Sequence, residues 1–188
     1  MRIVFLFIFL FLIGCTNQPE TIELSNITIA RDTYGVPHII AKTDAEVAYG
    51  LAWAQCEDQF ITLQELMAAC KGMLGEIKGK EGLVADFGIK FMGLQEIAKA
   101  NYKRDVTGAF KTYLESFVAG VNAYAALHPE EVLLDDLFPL TGHDVIVGYL
   151  LGNLEVSHAG KDLAKILNGT ILTELNSDVP KGSNAIAI

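Results

Sequence analysis

Basic residues are scarce in this chain of 188 residues. Fourteen Lys and Arg stand against 23 Asp and Glu, a formal charge of −9 at pH 7. Affinity for nucleic acid rests chiefly on Lys and Arg contacts to phosphate, so this balance argues against such a partner. Cysteine is scarcer still, with three in all. Cys56 and Cys70 fall on one predicted helix, ~21 Å apart, whereas a disulfide needs Cα atoms within ~7 Å. They read as small buried apolar residues. The histidines His38, His128, His143 and His158 show no ligand spacing, and no His-Glu-x-x-His occurs, so a recognisable zinc motif is lacking. No internal repeat is present. Long apolar runs are missing too: the longest, Ile3 to Ile13, covers only about half of a ~30 Å hydrocarbon core.

That run is instead read as the apolar region of a signal peptide, with Arg2 before it. It closes in Leu12-Ile13-Gly14-Cys15, which resembles a bacterial lipoprotein processing box. The expected organisation is a signal peptide over residues 1–14, then a polar tether over 15–25 attached through lipidated Cys15. The expected location is the cell envelope, facing the periplasm or the cell surface, with a membrane partner reached through the lipid. No Asp follows Cys15, so the inner-membrane retention signal is absent. Removing the leader takes Arg2 with it and makes the body more acidic.

Ile27 to Arg31 and His38 to Ala41 alternate as two short strands, with Tyr34-Gly35-Val36-Pro37 as turn chemistry between them. Thr43 and Glu46 form a capping box. It opens a long helix over about 44–74, carrying Val47, Leu51, Ala54, Phe60, Leu63, Leu66, Met67 and Cys70 mostly at three- and four-residue steps. Gly50 within it costs about 1 kcal/mol relative to Ala, which points to close packing or a bend. Further helices are expected over about 84–102, with Phe87, Phe91, Leu94 and Ile97 as the apolar face, and over 108–127, stopping at His128-Pro129. Thr141 and Asp144 cap another over 145–156, and a last one covers about 161–175.

Beyond it, polar residues 176–182 lead to Gly182-Ser183-Asn184 and the apolar run 185–188, which has the start of a strand. Were the Gly182–Ser183 bond cut, Ser183 would become an N-terminus whose α-amine, with a pKa near ~8, lies within reach of its own Oγ. Nucleophile and base would then reside on one residue, a variant of the catalytic triad logic.

Five segments in order resemble the penicillin acylase family of N-terminal-nucleophile hydrolases: 29–39 (IARDTYGVPHI), 48–60 (AYGLAWAQCEDQF), 117–124 (FVAGVNAY), 138–144 (FPLTGHD) and 182–185 (GSNA). The likeness covers residues 26–188, and the first two segments are closest to the acyl-homoserine-lactone acylase branch. It implies an α+β fold with an αββα core, of which this mostly helical part is the α-chain region over 26–182, including a spacer near 176–182. Residues 183–188 would start the β chain. It further implies that Ser183 Oγ attacks the Gly182 carbonyl in self-cleavage, and that freed Ser183 then hydrolyses an N-acyl amide such as an acyl-homoserine lactone or a β-lactam. Asn184 would hold the new terminus. Leu151, Leu154 and Ser157 would line the acyl pocket. No cofactor is required, although a structural calcium bound through Glu155 is in keeping with the family. The donors for the oxyanion would come from the missing β-chain region, leaving this chain inactive alone. The alternative is a non-catalytic helical envelope lipoprotein or a degenerate remnant of the acylase.

Overall fold

The computed structural model describes residues 21–156. Two short antiparallel strands, β1 (Thr28–Arg31) and β2 (Pro37–Ile40), pair with Thr28 opposite Ile40 and Arg31 opposite Pro37. Six helices follow: α1 (Asp44–Lys71), α2 (Leu74–Lys78), α3 (Lys80–Phe91), α4 (Leu94–Asp105), α5 (Gly108–Leu127) and α6 (Gly142–Val156). This mostly helical arrangement with one small sheet fits an α+β fragment.

Helix α1 begins where its cap dictates. Thr43 Oγ1 accepts from the Glu46 amide at 3.2 Å, and Glu46 Oε2 accepts from the Thr43 amide at 3.2 Å. The buried Glu46 carboxylate also accepts from Asn26 Nδ2 at 2.7 Å and the Lys42 amide at 3.0 Å, which ties the preceding chain to the helix start. At the far end Gly72 takes φ +72°, the left-handed conformation that closes a helix with little steric cost when no Cβ is present.

The core lies where α5 crosses α1, with α6 packed beside them. Small residues make the approach close. A Cβ on Gly120 of α5 would stand 2.6 Å from the Tyr49 carbonyl oxygen and 2.8 Å from Ala52 Cβ. Gly50 serves the other neighbour: a Cβ there would meet Ile39 Cγ2 at 2.8 Å and Ile27 Cγ2 at 3.0 Å. Close packing against the strands therefore accounts for the helical glycine. The bend in α1 falls elsewhere, at Gln59, whose φ −149° and ψ 44° interrupt the helical path.

The helix expected over 84–102 is two helices. Apolar spacing runs on through Gly93, but Gly93 has φ +65° and the chain turns there from α3 into α4. Only Leu94 of the expected face is buried. Phe87, Phe91 and Ile97 are exposed, and the two Phe rings stack on each other at 5.9 Å. The short helix α2, between Gly72 and Gly79, is a further element not expected from the sequence.

Candidate functional site

The strand turn is clasped to α1 by charge. Arg31 Nη2 lies 3.0 Å from Glu57 Oε2 and 2.9 Å from Asp58 Oδ1, and Arg31 Nη1 donates to the Gly35 carbonyl at 2.9 Å. Hydrogen bonds to Glu57 first and to Asp58 second raise the Arg31 guanidinium above its usual range. Trp53 Nε1 donates to the other Glu57 oxygen at 3.1 Å. Asp32 Oδ1 accepts from the Tyr34 and Val36 amides at 2.8 and 3.0 Å, and these backbone donors hold its carboxyl below the usual carboxylate range. His38 Nε2 lies 3.5 Å from Asp32 Oδ2. The turn is thus fixed while presenting Tyr34, 91% exposed, to its surroundings. Glu57 and Asp58 both pair with Arg31, and this arrangement positions the turn against α1.

A second clasp joins α5 to the loop before α6. Asn122 Nδ2 donates to the Leu140 carbonyl at 2.9 Å, and Asn122 Oδ1 accepts from the Leu140 amide at 2.7 Å. Thr141 then donates from its amide and hydroxyl to Asp144 Oδ2 at 2.7 and 2.8 Å, the expected capping pair, although α6 begins at Gly142 rather than at 145. Lys71 Nζ, at the end of α1, donates to the Leu137 carbonyl at 2.6 Å. Helices α1, α5 and α6 are thereby held around a cavity of about 620 Å³. Its walls are largely apolar, including Leu51, Leu66, Phe110, Phe117 and Tyr149, with Gln55, Gln59 and Asn153 among its polar groups.

Of the residues singled out in the sequence, Leu151 is half-buried against the main core and is not among those lining this cavity. Leu154 and Glu155 lie on the last turns of α6, and their side chains fall outside the described residues. Cys15, Ser157, Gly182, Ser183 and Asn184 also lie outside them, as does the helix expected over 161–175.

Sequence spacing missed one group. Among the described residues, His128, Glu130 and Glu131 bring ligand-type atoms within 4.8 Å of one another. His128 Nδ1 stands 3.7 Å from Glu130 Oε1 and 3.6 Å from Glu131 Oε1, all on the surface. Its imidazole stacks on Tyr124 at 4.2 Å. The short segment His128-Pro129-Glu130-Glu131 gives the signal in hindsight.

This architecture has a counterpart among solved proteins. Thermostable penicillin G acylase from Alcaligenes faecalis superimposes with a TM-score of 0.55 at 17% identity, over 85% of this chain and 98% of that one, which establishes likeness of fold. The penicillin amidase family model matches residues 26–188, and the chain belongs to that family. Penicillin acylase 2 proenzyme of Pseudomonas sp. (strain SE83) is 28% identical over 101 residues, 53% of this chain and 13% of that protein. The acyl-homoserine lactone acylase QuiP of Pseudomonas aeruginosa is 25% identical over 118 residues, 63% of this chain and 14% of its own length. The chain thus matches only about a seventh of the length of these curated relatives.

Proposed function

We propose that this chain is the leader and α-chain region of an amidohydrolase that releases its own N-terminal serine nucleophile. The observation that carries the reading is the extent of the family match, which runs from the first strand through Gly182-Ser183. The two clasps support it, because they bring together segments read in the sequence as belonging to one family. Arg31 ties residues 29–39 to 48–60, and Asn122 ties 117–124 to 138–144.

In maturation, Ser183 Oγ attacks the Gly182 carbonyl carbon. The peptide nitrogen leaves as the Ser183 α-amine, and the ester formed is hydrolysed by water to a Gly182 carboxylate and free Ser183. Gly182 has no Cβ to obstruct the attack. In turnover, the α-amine takes the Ser183 Oγ proton as that oxygen attacks the substrate amide; the amine leaves protonated, and water hydrolyses the acyl-enzyme. Asn184 holds the terminus, and Leu151, Leu154 and Ser157 contact the acyl group. The substrate is an N-acyl amide, an acyl-homoserine lactone or a β-lactam; the relatives' names, which print penicillin and acyl-homoserine lactone, support that class. Oxyanion donors, each worth ~3 kcal/mol in other hydrolases, come from the β-chain region. Chemistry needs no cofactor; Glu155 would give one carboxylate to a structural calcium. Cys15 carries the lipid, the tether extends to residue 25, and the enzyme faces the periplasm or cell surface.

The test is Ser183→Ala in the full-length parent polypeptide. The expected product is uncut between residues 182 and 183 and inactive on an N-acyl-homoserine lactone. A processed, active variant overturns the reading.

A further inference from the structure

The group His128, Glu130 and Glu131 joins one imidazole to two carboxylates, with ligand-type atoms within 4.8 Å of one another. Among the described residues neither glutamate pairs with a Lys or Arg; both turn to His128 Nδ1, at 3.7 and 3.6 Å. Three further features distinguish the group. First, a hydroxyl is aimed into it from the core. Tyr124 is only 5% exposed, yet its hydroxyl stands 3.5 Å from both Glu131 oxygens. An O–H···O hydrogen bond runs ~2.5–3.0 Å, so this buried donor is left short of a partner. Second, the group is already held in place. The His128 ring stacks on Tyr124 at 4.2 Å and lies edge-on to Trp53 at 6.4 Å. Buried Gln64 bonds the Glu131 carbonyl and the Leu133 amide, which anchors the backbone of the segment. Third, His128 caps the C-terminus of α5, where the helix dipole favours a cation.

We propose that His128 Nδ1 and the Glu130 and Glu131 carboxylates bind a divalent transition-metal cation of the zinc class, with the Tyr124 hydroxyl donating to the coordinated Glu131. The donor set selects that class. A neutral imidazole and two carboxylates balance a double positive charge, and imidazole suits zinc, nickel or copper. Calcium would instead need ~6–8 oxygen ligands. With bonds of ~2.0–2.1 Å, neighbouring ligands of a tetrahedral ion stand ~3.4 Å apart, so the separations at His128 need close by only a few tenths of an ångström. The ion would relieve repulsion between the two carboxylates and fasten the end of α5 to the segment that Gln64 anchors. This inference rests on the described residues alone and does not depend on Ser183 chemistry.

The experiment uses a built-in reporter, because Trp53 beside His128 is the chain's one tryptophan. The full chain, stripped with EDTA, is titrated with Co²⁺ while Trp53 fluorescence is followed. Saturable quenching is expected, reversed by Zn²⁺ and not by an equal concentration of Ca²⁺. Glu130→Gln with Glu131→Gln, and separately His128→Gln, should each weaken Co²⁺ binding at least ~tenfold. His38→Gln, on strand β2, should leave it unchanged. The glutamine pair keeps the shape of the side chains, and a second readout covers altered folding. Zn²⁺ should raise the Tm of the parent by at least ~3 °C and leave that of the glutamine pair where it is. Absence of quenching, equal affinity in the glutamine pair, or an equal Tm shift in both proteins overturns the proposal. Reversal by Ca²⁺ as effective as by Zn²⁺ overturns the assigned class of metal.

Discussion

Asn122 and Leu140 exchange a reciprocal pair of hydrogen bonds, 2.9 Å from side-chain amide to carbonyl and 2.7 Å from backbone amide to side-chain oxygen. Leu140 is buried, so its backbone has little access to water as a substitute. Asn122→Ala leaves both backbone groups unpaired, and an unpaired buried group costs about 1–3 kcal/mol. The expected loss is about 2 kcal/mol of unfolding free energy, measured by urea denaturation of the purified chain. A loss below a few tenths would mean that water replaces both bonds.

The two helical glycines Gly120 and Gly88 should respond to alanine in opposite directions. At Gly120 a methyl would press on the Tyr49 carbonyl and on Ala52, both parts of the packed α1 helix. Overpacking of this kind costs about 1–3 kcal/mol, more than the helical propensity alanine adds. At Gly88 nothing lies within 4 Å of the added atom. Gly88→Ala should therefore raise stability by ~0.5–1 kcal/mol. Paired thermal melts of the two variants against the parent test the sign in each case.

This contrast shows where sequence reading succeeds. The Thr43–Glu46 cap, the two strands and the helix over 108–127 depend on neighbours within a few residues, and each is legible. The break at Gly93 is not, because Phe87, Phe91, Leu94 and Ile97 keep helical spacing across it although only Leu94 is buried. Leu51 and Leu66 keep core spacing too, yet they face the cavity. The clasps are harder still. Gln64 donates to the Glu131 carbonyl at 3.0 Å and accepts from the Leu133 amide at 2.8 Å, and no local pattern signals contacts spanning almost seventy residues. For the candidate site, Gly182-Ser183 is read from chemistry and resemblance and lies outside the described residues, whereas the pairing of Glu57 and Asp58 with Arg31 required the fold.

Glu46 should make the fold sensitive to acid. Its carboxylate accepts from Asn26, the largest influence, and from the Lys42, Glu23 and Thr43 amides, all of which hold its pKa below the ordinary value. A pKa lower in the folded than in the unfolded state gives stability that is present above the unfolded value, ~4.3 for glutamate. That stability is lost as pH falls through the folded value. Tm should drop between pH 5 and acid conditions, and Glu46→Gln, less stable at pH 7, should drop less over the same interval. Parallel pH profiles of Tm for the two proteins would refute the assignment.

Cys56 and Cys70 should be inert toward thiol reagents while the chain is folded. Both are buried and free, and burial pushes each thiol up to about 12, with nearby acidic groups adding to the effect. The thiolate is the reactive form, and at pH 8 an ordinary cysteine near ~8.5 is roughly a quarter ionised. These two are ionised by only about one part in ten thousand at that pH, before access is considered. Iodoacetamide at pH 8 should therefore label neither residue in the native chain and both in guanidinium chloride, as read by peptide mass mapping. Rapid native labelling of Cys70 would be the more informative failure. Gly148 of α6 packs against it, with Cys70 Sγ 3.5 Å from the position a Gly148 Cβ would take, so labelling there would show that α6 separates readily from α1.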